Sequence, residues 1–275
     1  MQNCIRTGAG ELVPDLVRVN NDPVLNNGGR VVLVGSGPGD PELITVAGRK
    51  ALAEADVVIT DRLGATTLLD DLAEGVEVIN VGKSPDNHPV PQHAINALLV
   101  EHARAGRRVV RFKGGDPYIF GRGGEEMHAC RAAGVPVRVI PGVTSALSVP
   151  ALAGIPLTQR GVATSVLISS GHNGLDAAAR GALLGGATVV LLMAVSGLEQ
   201  ICESALAAGA APDLPVAIVE RGSTPSERIT YGALGGIAAL AAERQVRPPA
   251  IVVIGQVAAE AFLDDEVCAT AEPTP

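Results

Sequence analysis

The sequence predicts an α/β protein made of two domains. Short Val-rich runs of strand length alternate with stretches that have the spacing and length of helices. This alternation is typical of a largely parallel sheet covered by helices. A second set of strands and helices begins after Pro141 and Gly142, so the two domains are predicted to meet near residue 143.

Each domain is predicted to contain five strands. In the first domain they are RVVLV, DVVIT, VEVIN, RRVVRF and VPVRVI, and in the second SVLIS, TVVLLM, PVAIV, RITY and AIVVI. Helices of the second domain are expected near residues 176–184, 197–208 and 233–244.

These elements divide the chain into an N-terminal extension, two domains and a tail, at residues 1–29, 30–143, 144–264 and 265–275. The extension ends in the turn-forming cluster NNDPVLNNGG, and the tail is acidic and contains proline. Both end segments are therefore predicted to be flexible.

The composition is that of a globular protein. The chain has 275 residues, of which 47% are hydrophobic and 18% are charged, so it can bury a substantial core without disulfides or metals. The formal net charge of -8 argues against nonspecific binding to nucleic acid or to an anionic membrane. The N-terminus lacks a signal core, and no apolar run approaches the length of a membrane span. We therefore expect a protein that is neither exported nor embedded in a membrane.

The cysteines and histidines do not have the spacing of a metal site. The four cysteines are scattered without a CxxC pair, and the five histidines form no HxH or HExxH pattern. The sequence therefore predicts neither a metal site nor a disulfide framework, and a reducing cytoplasm is the expected setting. No GxSxG or Cys/His arrangement indicates a covalent nucleophile.

Ligands of open α/β sheets collect beyond the carboxyl ends of the strands, where this chain is rich in Gly, Pro and Asp. The loop after the first strand, GSGPGDPE, permits a dinucleotide-binding interpretation. However, the third glycine of GxGxxG is replaced by Asp40, which with Pro41 predicts a helix N-cap and a first helical residue. An NAD-dependent oxidoreductase stays as an alternative from a different class.

The loop after the fourth strand concentrates aromatic and basic side chains. Phe112, Tyr118 and Phe120 are three of the five aromatic residues, and the same segment supplies Lys113 and Arg122. This concentration indicates the wall of a ligand site. Phe112 is more simply explained as strand core, whereas the roles of Tyr118 and Phe120 are left open.

Several motifs occur together and in order between about Arg30 and about Val257. They are VVLVGSGPGDPELITVAG, DVVITDRL, VGKxxxxHxVPQxxIN, RVVRFKGGDPYIFGRGGEE, VIPGVTSA and GIPLTxR. Together they resemble the uroporphyrinogen-III C-methyltransferases of the tetrapyrrole methylase family. The combination of GPGDP with KGGDPFIFGRGGEE is very specific for that family, and the VGK...VPQ segment points to its uroporphyrinogen branch.

The resemblance implies two α/β domains of the tetrapyrrole methylase type, with the active-site cleft between them. It also implies a homodimer in which S-adenosyl-L-methionine, without a metal, methylates uroporphyrinogen III at carbons 2 and 7, giving precorrin-2 for sirohaem or cobalamin biosynthesis. Asp61 and Lys83 match the proposed proton acceptor and proton donor. The residues expected to contact the cofactor are Pro38, Gly114, Gly115, Asp116, Ile119, Thr144, Ser145, Met193 and Gly222.

A substrate with many carboxylates requires a basic wall despite the negative net charge. The candidates are Arg62, Lys83, Arg111, Lys113, Arg122 and Arg160. The sequence departs from the family pattern at Thr60, Ser84, Gln159 and Gly161, where Tyr, Arg, His and Asp are usual. These departures affect the expected substrate contacts, so a methylase of a later corrin intermediate and a noncatalytic tetrapyrrole carrier stay as alternatives.

Overall fold

The computed structural model describes residues 4–6, 12–14, 28–61, 64–82 and 90–263. Within the predicted N-terminal extension, Cys4–Arg6 (β1) and Leu12–Pro14 (β2) pair as a small antiparallel sheet. The tail predicted at 265–275 lies outside the described residues. Among the described residues, no helix is both long enough and apolar enough to cross a bilayer.

The first large sheet contains the five strands predicted before residue 143. They are Arg30–Gly35 (β3), Val57–Thr60 (β4), Glu77–Asn80 (β5), Arg108–Lys113 (β6) and Val137–Ile140 (β7). The strand order is β5-β4-β6-β3-β7, and every neighbouring pair is parallel. The parallel sheet predicted from the strand–helix alternation is confirmed for this half of the chain.

Helices cover both faces of the first sheet. Val46–Ala53 (α1) and the 3-10 helix Thr66–Leu69 pack on one face, and Gln92–Arg104 (α2) and Gly123–Ala132 (α3) pack on the other. The three central strands, β3, β4 and β6, are Val-rich because they are buried on both faces. Phe112 is fully buried on the α1 face, which confirms its prediction as core.

The second sheet contains the five strands predicted after residue 143. They are Val166–Ser170 (β8), Thr188–Leu192 (β9), Pro215–Glu220 (β10), Arg228–Ala233 (β11) and Ala250–Ile254 (β12). The strand order is β11-β10-β12-β9-β8, and β8 and β9 are its parallel pair. The other three pairs are antiparallel, so this sheet is mixed.

One hairpin explains the mixed sheet. β10 and β11 are joined by residues 221–227, a connection too short for the crossover that a parallel pair requires. The chain therefore reverses direction at this hairpin, and β11 and β12 run opposite to β8, β9 and β10.

The helices of the second half lie where the sequence predicts them. Ala177–Leu184 (α5), Leu198–Ala207 (α6) and Ile237–Glu243 (α7) pack on one face of the second sheet. Ser145–Leu152 (α4) and the 3-10 helix Gln256–Ala258 pack on the other face. The first helix after residue 143 therefore belongs with the second sheet, while the domain limits themselves stay a prediction.

The chain leaves β3 and β6 in opposite directions. From β3 it crosses to β4 on one side, and from β6 it crosses to β7 on the other. Such a reversal opens a crevice at the carboxyl ends of the two strands, where α/β proteins bind ligands. The two Gly-Asp-Pro loops follow β3 and β6, so both lie at this crevice.

Candidate active site

A backbone bridge joins the two Gly-Asp-Pro loops. The Gly115 N–H donates to the Gly37 carbonyl at 2.8 Å, and the Gly37 N–H donates to the Gly115 carbonyl at 3.3 Å. Both glycines have positive φ angles, +78° at Gly37 and +67° at Gly115, which side chains rarely adopt. The similarity of the two loops thus has a structural cause, because they pair with each other.

Three glycine backbones approach one another closely beneath this bridge. A Cβ on Gly35 would lie 2.5 Å from the Gly142 Cα, and a Cβ on Gly142 would lie 2.2 Å from the Gly115 carbonyl oxygen. Both distances are far shorter than any tolerated contact. The ends of β3, β6 and β7 can therefore meet only with glycine at Gly35 and Gly142.

The Asp116 carboxylate connects the fourth loop to the chain entering the second domain. One oxygen accepts from the Gly142 N–H at 3.0 Å, and the other accepts from the Tyr118 N–H at 2.8 Å. Asp116 thereby fixes the conformation of its own loop and the position of the segment between β7 and α4.

The first loop is held by its own cap and by the second domain. Asp40 caps the 3-10 helix Pro41–Leu43 through a 2.8 Å hydrogen bond from the Glu42 N–H, which confirms its N-cap prediction. The Asp40 N–H donates to Ser223 Oγ, at 3.0 Å, in the β10–β11 connection. Loops from both halves of the chain therefore meet beside the crevice.

An open cleft of about 690 Å³ lies between the fourth loop and the second domain. Its lining consists of Tyr118, Phe120, Arg122, Gly123, Gly124 and Met193. Tyr118, Phe120 and Met193 expose about half of their surfaces, at 51%, 46% and 49%. The structure thus places Tyr118 and Phe120, whose roles the sequence left open, on the wall of a cleft.

Several residues around the cleft have left-handed backbone conformations although they are not glycine. Phe120, Arg122, Met193 and Ser223 have φ angles of +52°, +58°, +56° and +66°. Each such conformation costs free energy that the surrounding structure must supply, and such residues concentrate at functional sites. Their clustering here points to a ligand site in this cleft.

Asp61, the predicted proton acceptor, follows β4 at the carboxyl edge of the sheet. Its Oδ1 accepts from the Gly114 N–H at 3.3 Å, and its Oδ2 lies 3.4 Å from Arg111 Nη2. Its side chain is 22% exposed. The neighbouring Thr60 is buried and donates through Oγ1 to the Asp61 carbonyl at 2.7 Å. Asp61 is thus held from two directions and still reaches solvent.

A buried ion cluster lies behind Asp61, on the face of the sheet covered by α2 and α3. Glu126 Oε1 accepts from Arg111 Nε at 3.0 Å, from Lys113 Nζ at 3.0 Å and from Gln92 Nε2 at 3.2 Å. Glu126 is fully buried, and the Arg111 and Lys113 side chains are each 4% exposed. Burial, followed by the repulsion from Arg111, lowers the pKa of Lys113 despite the attraction of Glu126.

Lys113 was predicted for the substrate wall, as was Arg111, but both side chains point inward to Glu126. β6 alternates its side chains, so Arg111 and Lys113 share one buried face while Phe112 occupies the other. A direct contact of Lys113 with a substrate stays a prediction, and its position favours a supporting role.

The other predicted cofactor residues lie at loop and helix ends. Thr144 is the N-cap of α4, accepting from the Ala146 N–H at 3.4 Å, and Ser145 is the first residue of that helix. Pro38 is half-buried and Ile119 is 40% exposed. Gly222 is buried so closely against α4 that a Cβ would lie 2.3 Å from Val149 Cγ1.

The predicted substrate residues are placed less uniformly. Arg122 lines the cleft and is paired with Glu125 at 2.7 Å, whereas Arg160 is exposed in a turn that Gln159 and Ala163 close. Gly161 in that turn has a φ of +77°, which accounts for a glycine at this departure from the family pattern. Arg62 and Lys83 lie outside the described residues.

Two residues of this cluster, Glu126 and Gln92, were not predicted from the sequence. A signal for Glu126 was present, because Arg111 and Lys113 occupy alternate positions of a strand buried on both faces. Two cations on one buried face require an anion from a covering helix. In the described part of the chain, no group of three or more His, Cys, Asp or Glu residues could hold a metal ion.

A family model, a curated relative and a solved structure all relate this chain to the same family. The model of the Tetrapyrrole (Corrin/Porphyrin) Methylases matches residues 30–238. An S-adenosyl-L-methionine-dependent uroporphyrinogen III methyltransferase of Methanosarcina barkeri is 46% identical over 84% of this chain and 92% of its own length. The crystal structure of a uroporphyrin-III C-methyl transferase from Thermus thermophilus, complexed with S-adenyl homocysteine, superposes with a TM-score of 0.70. It is 44% identical, covering 83% of this chain and 98% of that one.

Another similar relative is longer than this chain. A siroheme synthase of Acinetobacter baylyi is 48% identical over 83% of this chain, but the matched region is 51% of that protein. The chain therefore spans about half the length of that relative.

Proposed function

Because this chain belongs to the tetrapyrrole (corrin/porphyrin) methylase family, we propose that it uses S-adenosyl-L-methionine to methylate uroporphyrinogen III at carbons 2 and 7, giving precorrin-2 for sirohaem or cobalamin biosynthesis. The observation that carries this proposal is the bridge between Gly37 and Gly115. It brings both Gly-Asp-Pro loops to the crevice of a fold that also occurs in a relative complexed with S-adenyl homocysteine.

The crevice fits an organic ligand that is bound closely by backbone. A Cβ on Gly115 would have its nearest described neighbours, Ser145 N and Thr144 Cα, at 3.7 and 3.8 Å, so the gap beside the start of α4 has room for an added carbon without a clash. Ser36 Oγ is buried next to this loop without a hydrogen-bond partner within the described ranges. The residues that would hold the cofactor are Pro38, Gly114, Gly115, Asp116, Ile119, Thr144, Ser145, Met193 and Gly222.

S-adenosyl-L-methionine supplies a methyl group that is already activated for transfer, so the chain's main task is alignment. The bridged loops and the Asp116 carboxylate fix the backbone around that site. Tyr118 and Phe120 offer apolar surface on the cleft wall for the pyrrole rings of the substrate. Positioning by these groups would bring the acceptor carbon to the methyl group and limit the access of water.

Methylation of a pyrrole carbon leaves a cationic product that must lose a proton. Asp61 is a carboxylate at the crevice, held by the Gly114 N–H and Arg111 and reachable from solvent. It would accept that proton as general base. Lys83 would serve as proton donor, and Arg62, Lys83, Arg122 and Arg160 would bind substrate carboxylates.

Transfer of label tests the function directly. The protein would be incubated with methyl-labelled S-adenosyl-L-methionine and uroporphyrinogen III under reducing conditions, and the product mass measured. Addition of two methyl groups is expected. A parallel incubation would contain precorrin-2 in place of uroporphyrinogen III. Transfer to precorrin-2 but not to uroporphyrinogen III would identify a later methylase, and substrate binding without transfer would identify a carrier.

The cellular setting and the assembly belong to the same proposal. Cys130 and Cys202 are free and buried, and free thiols are consistent with a reducing cytoplasm. Leu147 and Leu152 on α4 are 47% and 52% exposed, and a second copy of the chain would cover such apolar surface. Sedimentation analysis is expected to give the mass of a homodimer.

A further inference from the structure

The guanidinium of Arg111 is fixed at every nitrogen. Nε donates to Glu126, and Nη1 donates to the carbonyls of Ile59 and Phe112 at 3.2 and 3.1 Å. Nη2 is then directed at Asp61 Oδ2, at 3.4 Å. Among the described residues, Glu126 is the one anion besides Asp61 that pairs with this guanidinium.

The charges of the cluster balance only when Glu126 is included. Arg111 and Lys113 contribute two cations, and Asp61 alone would compensate one of them. Without Glu126, both cations would attract the Asp61 carboxylate, and its orientation would change. Two further titratable groups interact with Glu126 in the described part of the chain. Arg122 precedes α3 and is paired with Glu125, and the Cys130 thiol on α3 stays neutral because burial raises its pKa to about 11.

We propose that Glu126 is a positioning residue for the methylation reaction: it anchors Arg111 and thereby holds the Asp61 carboxylate in the orientation for proton transfer. The inference rests on the proposed function, in which Asp61 is the general base. Gln92 of α2 contributes to the same arrangement, because it donates to Glu126 Oε1 and to Asn96 Oδ1 and so limits the motion of the carboxylate.

A double-mutant cycle separates this role from a general contribution to folding. Glu126→Gln keeps the shape and removes the charge, and we expect it to lower the rate constant for methyl transfer about tenfold with KM and S-adenosylhomocysteine affinity changed less than about twofold. In the Asp61→Asn background, the same substitution should change the rate less than about twofold, because the base on which it acts is already absent. Glu101→Gln, at an exposed position of α2, is the matched control and should retain the wild-type rate.

Two results would overturn the inference: a wild-type rate for Glu126→Gln, or rate losses that multiply in the double variant. If circular dichroism shows that Glu126→Gln does not fold, Gln92→Ala replaces it, since it removes a neutral donor and leaves all the charges. Its expected loss of about threefold should disappear in the Asp61→Asn background, and an equal loss in both backgrounds would count against Glu126. A wild-type protein without methyl transfer would refute the proposed function. An active wild type with fully active Asp61→Asn would refute this inference and the role of Asp61 as base, and it would leave the proposed methyltransferase activity standing.

Discussion

Gln92 and Glu126 are 34 residues apart in the chain and are joined by a hydrogen bond of 3.2 Å from Nε2 to Oε1. Gln92 belongs to the VPQ segment at the start of α2, and Glu126 belongs to the GRGGEE segment at the start of α3. The two segments looked like independent motifs in the sequence. The bond places both segments in one cluster behind Asp61, which gives a physical reason why the VPQ and GRGGEE motifs are found together in this chain.

Substituting the proposed base is the most direct test of the mechanism. Asp61→Asn preserves the shape of the side chain and removes its basicity, so the methylation rate should fall at least about tenfold, in the lower range for acid–base groups. The affinity for S-adenosylhomocysteine, measured by calorimetry, should stay at the wild-type value. Turnover close to wild type, with the product identified by mass spectrometry, would leave Asp61 a structural role, to which its contacts with the Gly114 N–H and Arg111 belong.

A side chain at Gly115 should interfere with the cofactor. Gly115→Val is expected to abolish binding, but the φ of +67° also makes a β-branched residue strained there, so Gly115→Ala is the cleaner variant. We expect Gly115→Ala to weaken S-adenosylhomocysteine binding at least about tenfold, because its Cβ would fill the gap beside the start of α4 where the cofactor is proposed to bind. Gly134→Ala has a comparable φ of +71° with no atom within 4 Å of the added Cβ, and it controls for backbone strain. Equal affinities in the two variants would remove this loop from the site.

Asp56 should contribute to stability in a pH-dependent manner. Hydrogen bonds from the Arg108 side chain lower the pKa of Asp56 from 3.8 to about 2. A carboxyl group with a lowered folded-state pKa stabilises the protein above its unfolded pKa, and this contribution disappears as the pH falls from about 4 to about 2. Because the pair is well exposed, Asp56→Asn should lower the free energy of unfolding at pH 7 by at most about 1 kcal/mol.

Urea unfolding at a series of pH values measures this effect. The difference between wild type and Asp56→Asn should shrink toward zero near pH 2. Asp213→Asn, at an exposed loop position, should show no comparable pH dependence. A difference of constant size across the series would mean that the Asp56–Arg108 contact does not act through ionisation.

The N-terminal extension should be dispensable for turnover. The region lacks helical or strand periodicity in its sequence apart from the short β1–β2 pair, and the first large sheet begins at Arg30. Deleting residues 1 to 28 should preserve activity, provided that Gly29 is kept, because a Cβ at Gly29 would lie 1.8 Å from the Ala103 carbonyl oxygen. A large drop in both melting temperature and turnover would show that the segment packs onto the domains.

The sequence predicted the strands well because strands buried on both faces become nearly continuous apolar runs. It did not predict the direction of β11 and β12, since periodicity carries no information about which way a strand runs. The deciding feature was the short connection 221–227, which allows a hairpin and excludes a crossover. Topology in the second half therefore depended on loop length and not on strand composition.

The sequence predicted those features of the site that lie within one short segment of the chain. Gly37 and Gly115 were recognisable in their loops, whereas their pairing with each other is a long-range contact. The inward orientation of Lys113 was missed because a lysine at a strand end looks like a ligand contact until its covering helix supplies Glu126. A local sequence pattern does not show whether a side chain is buried or which distant residue it contacts, so neither contact could be predicted from it.

The close approach of Gly35, Gly115 and Gly142 limits how this scaffold can change over evolution or in the laboratory. Any side chain at Gly35 or Gly142 would clash with the neighbouring backbone. The part of the site proposed to bind the methyl donor is therefore expected to stay constant among variants. Tyr118 and Phe120 project from the same loop with about half of their surfaces exposed. A change of acceptor molecule can therefore arise at these side chains without disturbing the glycine contacts, and a library designed for new methyl acceptors should begin there.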